Sequence, residues 1–403
     1  MSFVLGVVLF ALGIGLSVAL HEAGHMYTAK AFGMKVRRYF IGFGPTVFSF
    51  RRGETEYGLK AIPAGGFCDI AGMTALDELP DPADRKRAFY RFATWKRVVV
   101  MAAGIATNFA LAIVIIYVMA VSTGLPNQNP PPTPAVIAQL SDCAGATDGS
   151  CPAGAPSPAR DAGLEPGDRI VAVAGNPVSN FDELTAITQR NIGPTEFVVE
   201  RNGARRALIV DVAPVPAAAF GGTGTEPVGA IGVNVQSPDY PRTLEYGPVD
   251  AVGQTFFFTG TMFENTWEGL KQFPQKVPLL IDRIQGEDRL DTPISVVGAS
   301  VLGGDAVDAG LWVFFLYLLA ALNLFLGVFN LLPLLPLDGG HIVVNVYERV
   351  RNWFRGLRGL RAGPPVDYTR LLPLTYAVML VFIAVAGLTI TADIVNPIRL
   401  PVQ

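Results

Sequence analysis

Two imidazoles and a carboxylate lie within five residues, in the segment HEAGH at positions 21–25. Residues four apart on an α-helix share one face, so His21 and His25 can bind one Zn²⁺ together. Glu22 can then reach a water molecule at the metal and act as a general base. The chain holds only three histidines, and ionisable groups at the end of an apolar helix are costly unless they serve a function. The segment therefore predicts a zinc site rather than two packing histidines beside an unrelated glutamate.

A second candidate segment is NLLPLLPLDGGH, at positions 330–341. Its two prolines remove backbone donors and interrupt a helix, and irregular backbone at membrane depth is tolerated only where it is buried in protein or lines a cavity. Asp338 would complete the two imidazoles as a three-ligand catalytic site with one open position. The alternative is a helix-breaking loop with an ordinary capping aspartate.

Asp338 and His341 compete for the role of third ligand. Histidine is the better zinc ligand by residue type alone. Asp338, however, closes the apolar proline run and should lie deeper, and the two glycines after it are expected to interrupt the helix so that the two side chains diverge. The sequence therefore favours Asp338.

The elements that must position these groups are apolar helices. Hydrophobic residues make up 50% of the 403 residues and charged residues 16%, unlike an ordinary soluble protein. Segments 1–30, 98–122, 311–340 and 371–395 each hold a run long and apolar enough to span a bilayer. The first lacks the basic start and the cleavage site of a signal peptide. The fold class predicted is a polytopic α-helical membrane protein with four transmembrane helices.

Lys and Arg are distributed unevenly among the connecting segments. Residues 30–97 hold 13 basic and 7 acidic residues, and residues 337–370 hold 6 and 3. Residues 123–310 hold 11 basic and 22 acidic residues. The basic segments should therefore be cytoplasmic and the acidic one extracytoplasmic. This topology, in the plasma membrane, leaves both termini outside and brings Asp338 to the same cytoplasmic depth as the histidines.

The cytoplasmic segment 31–97 is expected to form a membrane-associated β-hairpin and an interfacial helix. Strands at 47–50 and 57–60 flank a turn. The hairpin either offers an edge strand that pairs with an unwound substrate or only covers the site, and the sequence supports both equally. Basic and aromatic residues between Asp84 and Arg97 predict a helix in the membrane interface rather than a nucleic-acid site.

Asn108, in the second span, is a polar group that needs a partner. The segment MAAGIATNF around it is rich in small residues, which permit close contact between helices. Helix packing is therefore favoured over a catalytic role for Asn108.

The extracytoplasmic segment divides into a Pro-rich linker at 123–134, an α/β domain at 135–214 and a connector at 215–310. The run AGLEPGD at 162–168, a helix capped by Asn180 and a hairpin around Asn202 and Gly203 resemble a PDZ domain. PDZ domains bind extended peptide ends, and the alternative is a steric cap without a ligand. The connector should be irregular at 221–232 and form amphipathic interfacial helices at 249–280.

The three cysteines fit this topology. Cys143 and Cys151 lie in the extracytoplasmic segment and either form a disulfide or remain free thiols in a flexible loop. Cys68 is cytoplasmic and should be a free thiol. The remaining segments are a cytoplasmic loop at 341–370 and a C-terminal tail at 396–403.

The two motifs together resemble those of the site-2 protease family of intramembrane zinc metalloproteases. Further matches are GFGP at 42–45, the segment from Trp95 to Phe109 and the PDZ-like insert between the second and third spans. The composition and the single PDZ-like unit are most similar to actinobacterial members. Ile105 stands where many members have a proline.

The resemblance implies a site and a role. By motif position, the ligands of Zn²⁺ are His21, His25 and Asp338. Glu22 is the catalytic base, and Asn330 contacts the substrate backbone near the scissile bond. The role implied is regulated intramembrane proteolysis, in which a site-1-type protease first trims a single-pass membrane protein outside. This enzyme then cuts within the bilayer, and in bacteria the usual substrate is an anti-sigma factor; no nucleic acid takes part.

Two other classes of function are less favoured. A membrane PDZ scaffold with structural zinc needs a fourth protein ligand, which only His341 or Cys68 could supply. A metal transporter would need ionisable residues along several spans, and the second and fourth spans hold almost none.

Overall fold

The computed structural model describes residues 1–73, 77, 79, 81–144, 151, 155–216, 226–286, 291–364 and 366–400, with the backbone alone at 63 and 64. The chain forms two compact units: Met1–Leu125 together with Leu244–Gln403, and Pro126–Thr243. The first unit carries the long apolar helices and a β-hairpin, and the second is built on a five-stranded sheet.

The described helices and strands follow in chain order. The helices are α1 (Ser2–Ala31), α2 (Pro82–Lys86), α3 (Thr94–Ser122), α4 (Pro158–Asp161), α5 (Phe181–Arg190), α6 (Asp250–Lys276), α7 (Leu279–Ile284), α8 (Val296–Asp308), α9 (Trp312–Asn330), α10 (Asp338–Leu357) and α11 (Leu372–Val395). The strands are β1 (Val36–Arg52), β2 (Thr55–Ile70), β3 (Leu125–Pro126), β4 (Ile137–Leu140), β5 (Arg169–Val173), β6 (Asn176–Pro177), β7 (Gly193–Arg201), β8 (Ala204–Pro216), β9 (Pro227–Ala230), β10 (Val233–Val235) and β11 (Thr243–Leu244).

Four of the described helices, α1, α3, α9 and α11, are long and apolar enough to cross a membrane. They coincide with the four predicted spans and fit a multi-pass membrane protein. The helix α3 begins at Thr94, earlier than the predicted residue 98. The helix α9 ends at Asn330, because the proline run that follows cannot continue it.

Small residues and one buried polar pair hold α1 against its neighbours. A Cβ added to Gly303 of α8 would lie 2.7 Å from the ring of Phe10 on α1, so only glycine permits this approach. From α9, the amide nitrogen of Asn323 donates to the hydroxyl of Ser17 on α1 over 3.0 Å. Asn323 is fully buried, and this bond fixes α9 one helical turn from His21.

The strands β1 and β2 form an antiparallel hairpin, which confirms the predicted turn. Arg52 pairs with Thr55, and Gly53 between them has a φ of +64° that favours glycine. Both strands bend, so that residues 38–41 pair with 56–59 on one side and with 66–69 on the other. Residues 66–69 therefore form an edge of the sheet, with no further partner strand among the described residues.

The prediction of one interfacial helix from Asp84 to Arg97 is wrong. The helix α2 ends at Lys86, a 3₁₀ turn covers Phe89–Arg91, and α3 begins at Thr94. Phe89 is buried, and its N–H donates to the carbonyl of Ala71 over 2.8 Å. The Arg87 guanidinium forms two bonds of 2.6 and 2.7 Å with Glu54. These contacts with the hairpin outweigh the local helical preference.

The helix α6, in the segment predicted to form interfacial helices, packs against the apolar helices α3 and α9. Its Phe258 ring is 6.3 Å from that of Tyr317 on α9, and its Phe263 ring is 6.2 Å from that of Phe109 on α3. Aromatic pairs of this kind add to the free energy gained from apolar burial. The helix therefore reaches the level of α3 at which Asn108 lies.

The second unit contains the sheet order β6-β5-β7-β8-β9, with α5 packed on it. The predicted hairpin is confirmed: β7 and β8 are joined by Asn202 and Gly203, whose φ angles are 52° and 78°. The predicted cap is confirmed too, since Asn180 Oδ1 accepts from the N–H of Glu183 over 2.9 Å. Residues 135–214 lie inside this unit.

Outside the predicted domain, β9 forms at Pro227–Ala230, within the segment expected to be irregular; residues 217–225 lie outside the described part. Cys143 and Cys151 form a disulfide, and Cys68 is a free thiol. Burial raises the pKa of the Cys68 thiol, and the nearby Glu22 carboxylate adds to this effect. Cys68 is therefore a neutral thiol at neutral pH.

Candidate metal centre

Three side chains from two distant segments meet in the first unit: His21 and His25 of α1, and Asp338 of α10. The two Nε2 atoms are 3.2 Å apart, and each lies 3.3 Å from Oδ2 of Asp338. His21 is 9% exposed and His25 5%. Within the described part of the chain, this is the group of His, Cys, Asp or Glu residues able to hold a metal ion.

The separations fit one tetrahedral Zn²⁺. With zinc–ligand bonds of about 2.0 to 2.1 Å, two ligand atoms at tetrahedral corners lie about 3.3 Å apart. Oδ2 of Asp338 is buried without a hydrogen-bond partner, which is costly unless a cation or donor satisfies it. Two imidazoles and one carboxylate form the ligand set of a catalytic zinc site with one open position.

The helix α3 fixes the orientation of both imidazoles. Nδ1 of His25 donates to the carbonyl of Val100 over 2.8 Å, which leaves Nε2 with a free lone pair. Nδ1 of His21 lies 3.1 Å from the side-chain amide nitrogen of Asn108, whose Oδ1 has no partner. Rotating this amide by 180° satisfies both groups, because Oδ1 then accepts from Nδ1–H. In that arrangement His21 also directs a lone pair on Nε2 toward the metal position.

Gly104 makes room for the two imidazoles. A Cβ added there would lie 2.3 Å from Nε2 of His25 and 2.8 Å from Cε1 of His21. Gly24 is similarly tight, since its Cβ would lie 2.7 Å from the carbonyl oxygen of Ala103. These two glycines let α1 and α3 approach closely enough for α3 to contact the ligands.

Asp338 is the first residue of α10, directly after the proline run. The expectation that the next two glycines interrupt the helix is wrong, because α10 continues through both. Their role is close packing: a Cβ on Gly339 would lie 2.4 Å from the carbonyl oxygen of Leu332, and one on Gly340 would lie 2.6 Å from the backbone of Leu334. The glycines thereby fold the start of α10 onto the loop and place Asp338 at the histidines.

Glu22 lies between the ligands and the hairpin edge. The backbone of Cys68 lies close to its carboxylate. A Cβ on Gly66 would lie 3.0 Å from Cγ of Glu22 and 3.2 Å from Val18. The hairpin edge therefore contacts the carboxylate expected to act as base.

A model of peptidase family M50 matches residues 9–364. The chain belongs to peptidase family M50. The resemblance to site-2 proteases found in the motifs is thereby confirmed. The zinc metalloprotease Rip1 of Mycobacterium tuberculosis is 51% identical over 417 residues, which cover 99% of this chain and 100% of the relative. Rip1 of Mycolicibacterium smegmatis is 46% identical with the same coverage.

Within this M50 chain, Asn330 is the last residue of α9 and is half-buried. Its side chain forms no hydrogen bond with any residue that the structure describes. The amide is therefore available to a ligand, and seven residues of loop separate it from Asp338.

His341 is close to Asp338 in sequence but does not join the cluster of His21, His25 and Asp338. Its Nδ1 lies 3.4 Å from the hydroxyl of Tyr368, and the two rings are stacked with centroids 5.9 Å apart. Burial raises the pKa of Tyr368 to about 12, and the nearby Glu348 adds to this effect while Arg97 opposes it. Tyr368 is therefore a neutral partner of His341 at neutral pH.

Gly104, Val100 and Asn323 contribute to the site, but the sequence alone does not identify them as site residues, and it favours helix packing for Asn108. Gly104 and Asn108 are four apart on α3 and so share a face, which is a signal that the sequence does contain. The carbonyl of Val100 and the link from Asn323 to Ser17 carry no such signal, because they depend on how the helices pack.

Proposed function

We propose that this M50 member is an intramembrane zinc endopeptidase that hydrolyses a peptide bond within the transmembrane segment of single-pass membrane proteins. The observation that carries the proposal is the buried triangle of His21, His25 and Asp338 between helices apolar enough to span a bilayer. Glu22 adjoins this triangle. The named relatives are zinc metalloproteases, and Zn²⁺ is the cofactor that this ligand set fits.

In this proposal His21, His25 and Asp338 hold the zinc, and Glu22 is the base. Bound zinc supplies a Lewis acid that lowers the pKa of water and polarises the scissile carbonyl. Glu22 takes the proton of the attacking water and delivers it to the leaving amide nitrogen. The close packing of Gly66 against Cγ of Glu22 restrains the carboxylate for both transfers.

The hairpin edge is suited to present the substrate. An unwound transmembrane segment has free backbone N–H and C=O groups that are costly in a dry site. Among the described residues, 66–69 pair with a strand on one side only, and this edge touches Glu22 through Gly66. Pairing with this edge would satisfy the substrate backbone whatever its side chains. The free amide of Asn330 is proposed as a second backbone contact.

The second unit is proposed to be a PDZ-like domain that limits access of large ectodomains. A cavity of about 130 Å³ lies between α5 and the segment 229–234, where an extended peptide end would fit. The known use of such domains is recognition of peptide ends, and the alternative role is a steric cap. Both roles give preference to a substrate that another protease has already trimmed.

The biological role proposed is regulated intramembrane proteolysis in the plasma membrane, with a site-1-type protease upstream and anti-sigma factors as the substrate class. The charge distribution supports cytoplasmic placement of residues 31–97 and 341–370 and external termini.

The side of the membrane that each segment faces can be measured with a membrane-impermeant maleimide on single-cysteine variants made in a Cys68→Ser background. Ala362→Cys should react from the cytoplasmic side only and Glu196→Cys from outside only; the reverse pattern contradicts the topology.

A membrane scaffold with structural zinc is the alternative. Such a site has four protein ligands. The described residues bring three ligand side chains within 4.8 Å, and neither His341 nor Cys68 is among them. The alternative therefore lacks the fourth ligand that it needs.

The test uses purified full-length protein reconstituted with a single-pass substrate. Glu22→Gln should bind zinc as the wild type does and lose cleavage by at least about 100-fold, because only the proton transfer is removed. The matched control is Glu264→Gln on the exposed side of α6, which should cleave normally. Normal turnover by zinc-loaded Glu22→Gln would exclude the assignment of the base and favour the scaffold.

A further inference from the structure

The helix α10 has the opposite amphipathicity to a helix of a soluble domain. Its buried residues after the first turn are polar, Asn345 and Glu348. Its exposed large apolar side chains form a stripe: Val343, Val346, Tyr347, Val350, Phe354 and Leu357. In a soluble domain the apolar face is turned to the core. The exposed stripe therefore requires an apolar environment outside the protein.

An ion pair and a backbone hydrogen bond, both to Glu348, fix this orientation of α10. The Glu348 carboxylate accepts from the guanidinium of Arg97 on α3 over 2.9 Å and from the N–H of Val366 over 2.6 Å. Both Glu348 and Arg97 are largely buried. A rotation of α10 that buried the stripe would break the ion pair between Glu348 and Arg97 and leave a buried charge without a partner.

Three arginines border the stripe at its C-terminal end. Arg351, Arg355 and Arg358 line a cavity of about 410 Å³, together with Tyr347, Val350, Phe354 and Leu360. Nε of Arg355 donates to the carbonyl of Arg361 over 2.9 Å, and Arg351 donates to the carbonyl of Pro364. These carbonyls hold the side chains but do not neutralise them. No carboxylate of the described residues forms an ion pair with any of the three guanidinium groups.

We propose that this surface is a binding site for an anionic phospholipid, whose phosphate headgroup occupies the arginine-lined cavity while its acyl chains cover the apolar stripe. A neutral lipid would cover the stripe but leave three positive charges unmatched. A soluble acidic peptide would match the charges but leave most of the stripe in water. An anionic lipid satisfies both, as interfacial helices with basic residues do in general.

One helix connects the proposed lipid site to the candidate metal centre. One uninterrupted helix runs from Asp338, the proposed zinc ligand, to Leu357 beside the cavity. A lipid that fixes the C-terminal half of α10 in the interface therefore also restrains the residue at its start. The binding site itself does not depend on the proposed protease activity, and its test does not measure cleavage.

The experiment uses purified full-length protein in a nonionic detergent, titrated with short-chain phosphatidylglycerol or phosphatidylcholine and followed by native mass spectrometry. The double variant Arg355→Gln/Arg358→Gln should bind phosphatidylglycerol about 30-fold more weakly, since each basic residue near an anionic surface contributes about a factor of five. Binding of phosphatidylcholine should not change. The matched control Arg205→Gln/Arg206→Gln removes the same charge from an exposed strand of the second unit and should bind as the wild type does.

Equal affinity of the wild type for the two lipids, or an equal loss in the control, would overturn the proposal. Inorganic phosphate should not compete at the concentrations at which the lipid binds; if it does, the cavity is a phosphate site without a lipid. Trp353 provides a measurement that needs no arginine variant, because it lies exposed next to the stripe. Brominated acyl chains in phosphatidylglycerol vesicles should quench the part of the emission that Trp353→Phe removes, and an unquenched Trp353 would contradict the placement of α10 in the interface.

Discussion

At the scale of single residues, each imidazole of the centre directs one nitrogen at Asp338 and has the other held by α3. His25 is held by the carbonyl of Val100, which can only accept, so its tautomer is fixed. His21 is held by Asn108, whose amide can accept or donate. A donor there would force the proton onto Nε2 of His21 and prevent zinc binding. Asn108 must therefore accept through Oδ1.

This assignment predicts opposite results for two substitutions of Asn108. Asn108→Ala should weaken zinc binding by about 10- to 100-fold, as loss of a partner of a ligating histidine does. Asn108→Asp should keep the affinity within a few-fold, because a carboxylate also accepts from Nδ1–H. Zinc dissociation constants from competition with a chelator measure both. If Asn108→Asp loses as much affinity as Asn108→Ala, the amide donates to His21 instead of accepting from it.

The identity of the third ligand can be tested by substituting Asp338 and His341 in separate variants. Asp338→Asn should lose zinc and cleavage, since Oδ2 of Asp338 lies 3.3 Å from both imidazoles. His341→Ala should keep most of the zinc, because His341 stacks on Tyr368 away from the cluster. Metal content of the two purified variants decides the question. Loss of zinc from His341→Ala with retention in Asp338→Asn would reverse the assignment.

The ligand candidates could be predicted because their residue types are rare and their spacing is specific. Three histidines in 403 residues, two of them four apart beside a glutamate, leave few alternatives. Gly104 and the acceptor role of Asn108 could not be predicted in the same way. Their importance arises from the contact of α3 with α1, which no local pattern reports.

At the scale of elements, α3 and the hairpin each contact a different part of the site through one closely packed glycine. Gly104 of α3 is packed against Nε2 of His25, whereas Gly66 of β2 is packed against Cγ of Glu22. The first element therefore shapes the metal position and the second the position of the base. Gly15 of α1 has nothing within 4 Å of an added Cβ and provides a control for glycine substitution itself.

The same substitution at the three glycines should give three different results. Gly104→Ala should lose both zinc and cleavage, because the new methyl group would lie 2.3 Å from Nε2 of His25. Gly66→Ala should keep zinc but cleave about 10- to 100-fold more slowly, since a small displacement of a catalytic group has an effect of that size. Gly15→Ala should change neither. Zinc content and single-turnover cleavage are measured on each, and loss of zinc from Gly66→Ala would show that the hairpin does not act on Glu22 alone.

Elements set by local chemistry were predictable, and those set by tertiary contacts were not. The turn at Gly53, the hairpin at Asn202 and Gly203 and the cap at Asn180 each depend on one or two residues with strong conformational preferences. The break between Asp84 and Arg97 depends instead on Phe89 and Arg87 reaching the hairpin. The continuous start of α10 through two glycines depends on close packing against the preceding loop, which overrides the flexibility of glycine.

At the scale of the whole molecule, the proposed catalytic groups and the proposed gate belong to different compact units. The cluster of His21, His25 and Asp338 and the hairpin edge lie in the first unit, and the five-stranded sheet lies in the second, Pro126–Thr243. The residues of the first unit that flank Pro126–Thr243 lie close together, since a Cβ on Gly124 would lie 3.0 Å from the backbone of Leu244. The second unit is therefore an insertion that can be removed without moving the helices on either side.

Replacing Pro126–Thr243 by a short Gly-Ser linker should leave the metal centre intact and abolish discrimination between substrates. The full-length protein should cut a trimmed substrate faster than one with its whole ectodomain, because the second unit excludes the larger one. The excised protein should cut both at the rate that the full-length protein reaches with the trimmed substrate. Zinc content and the rate on the trimmed substrate serve as controls for folding. If the excised protein still prefers the trimmed substrate to the same degree, selection occurs in the first unit, and the second unit has a structural or ligand-binding role without gating.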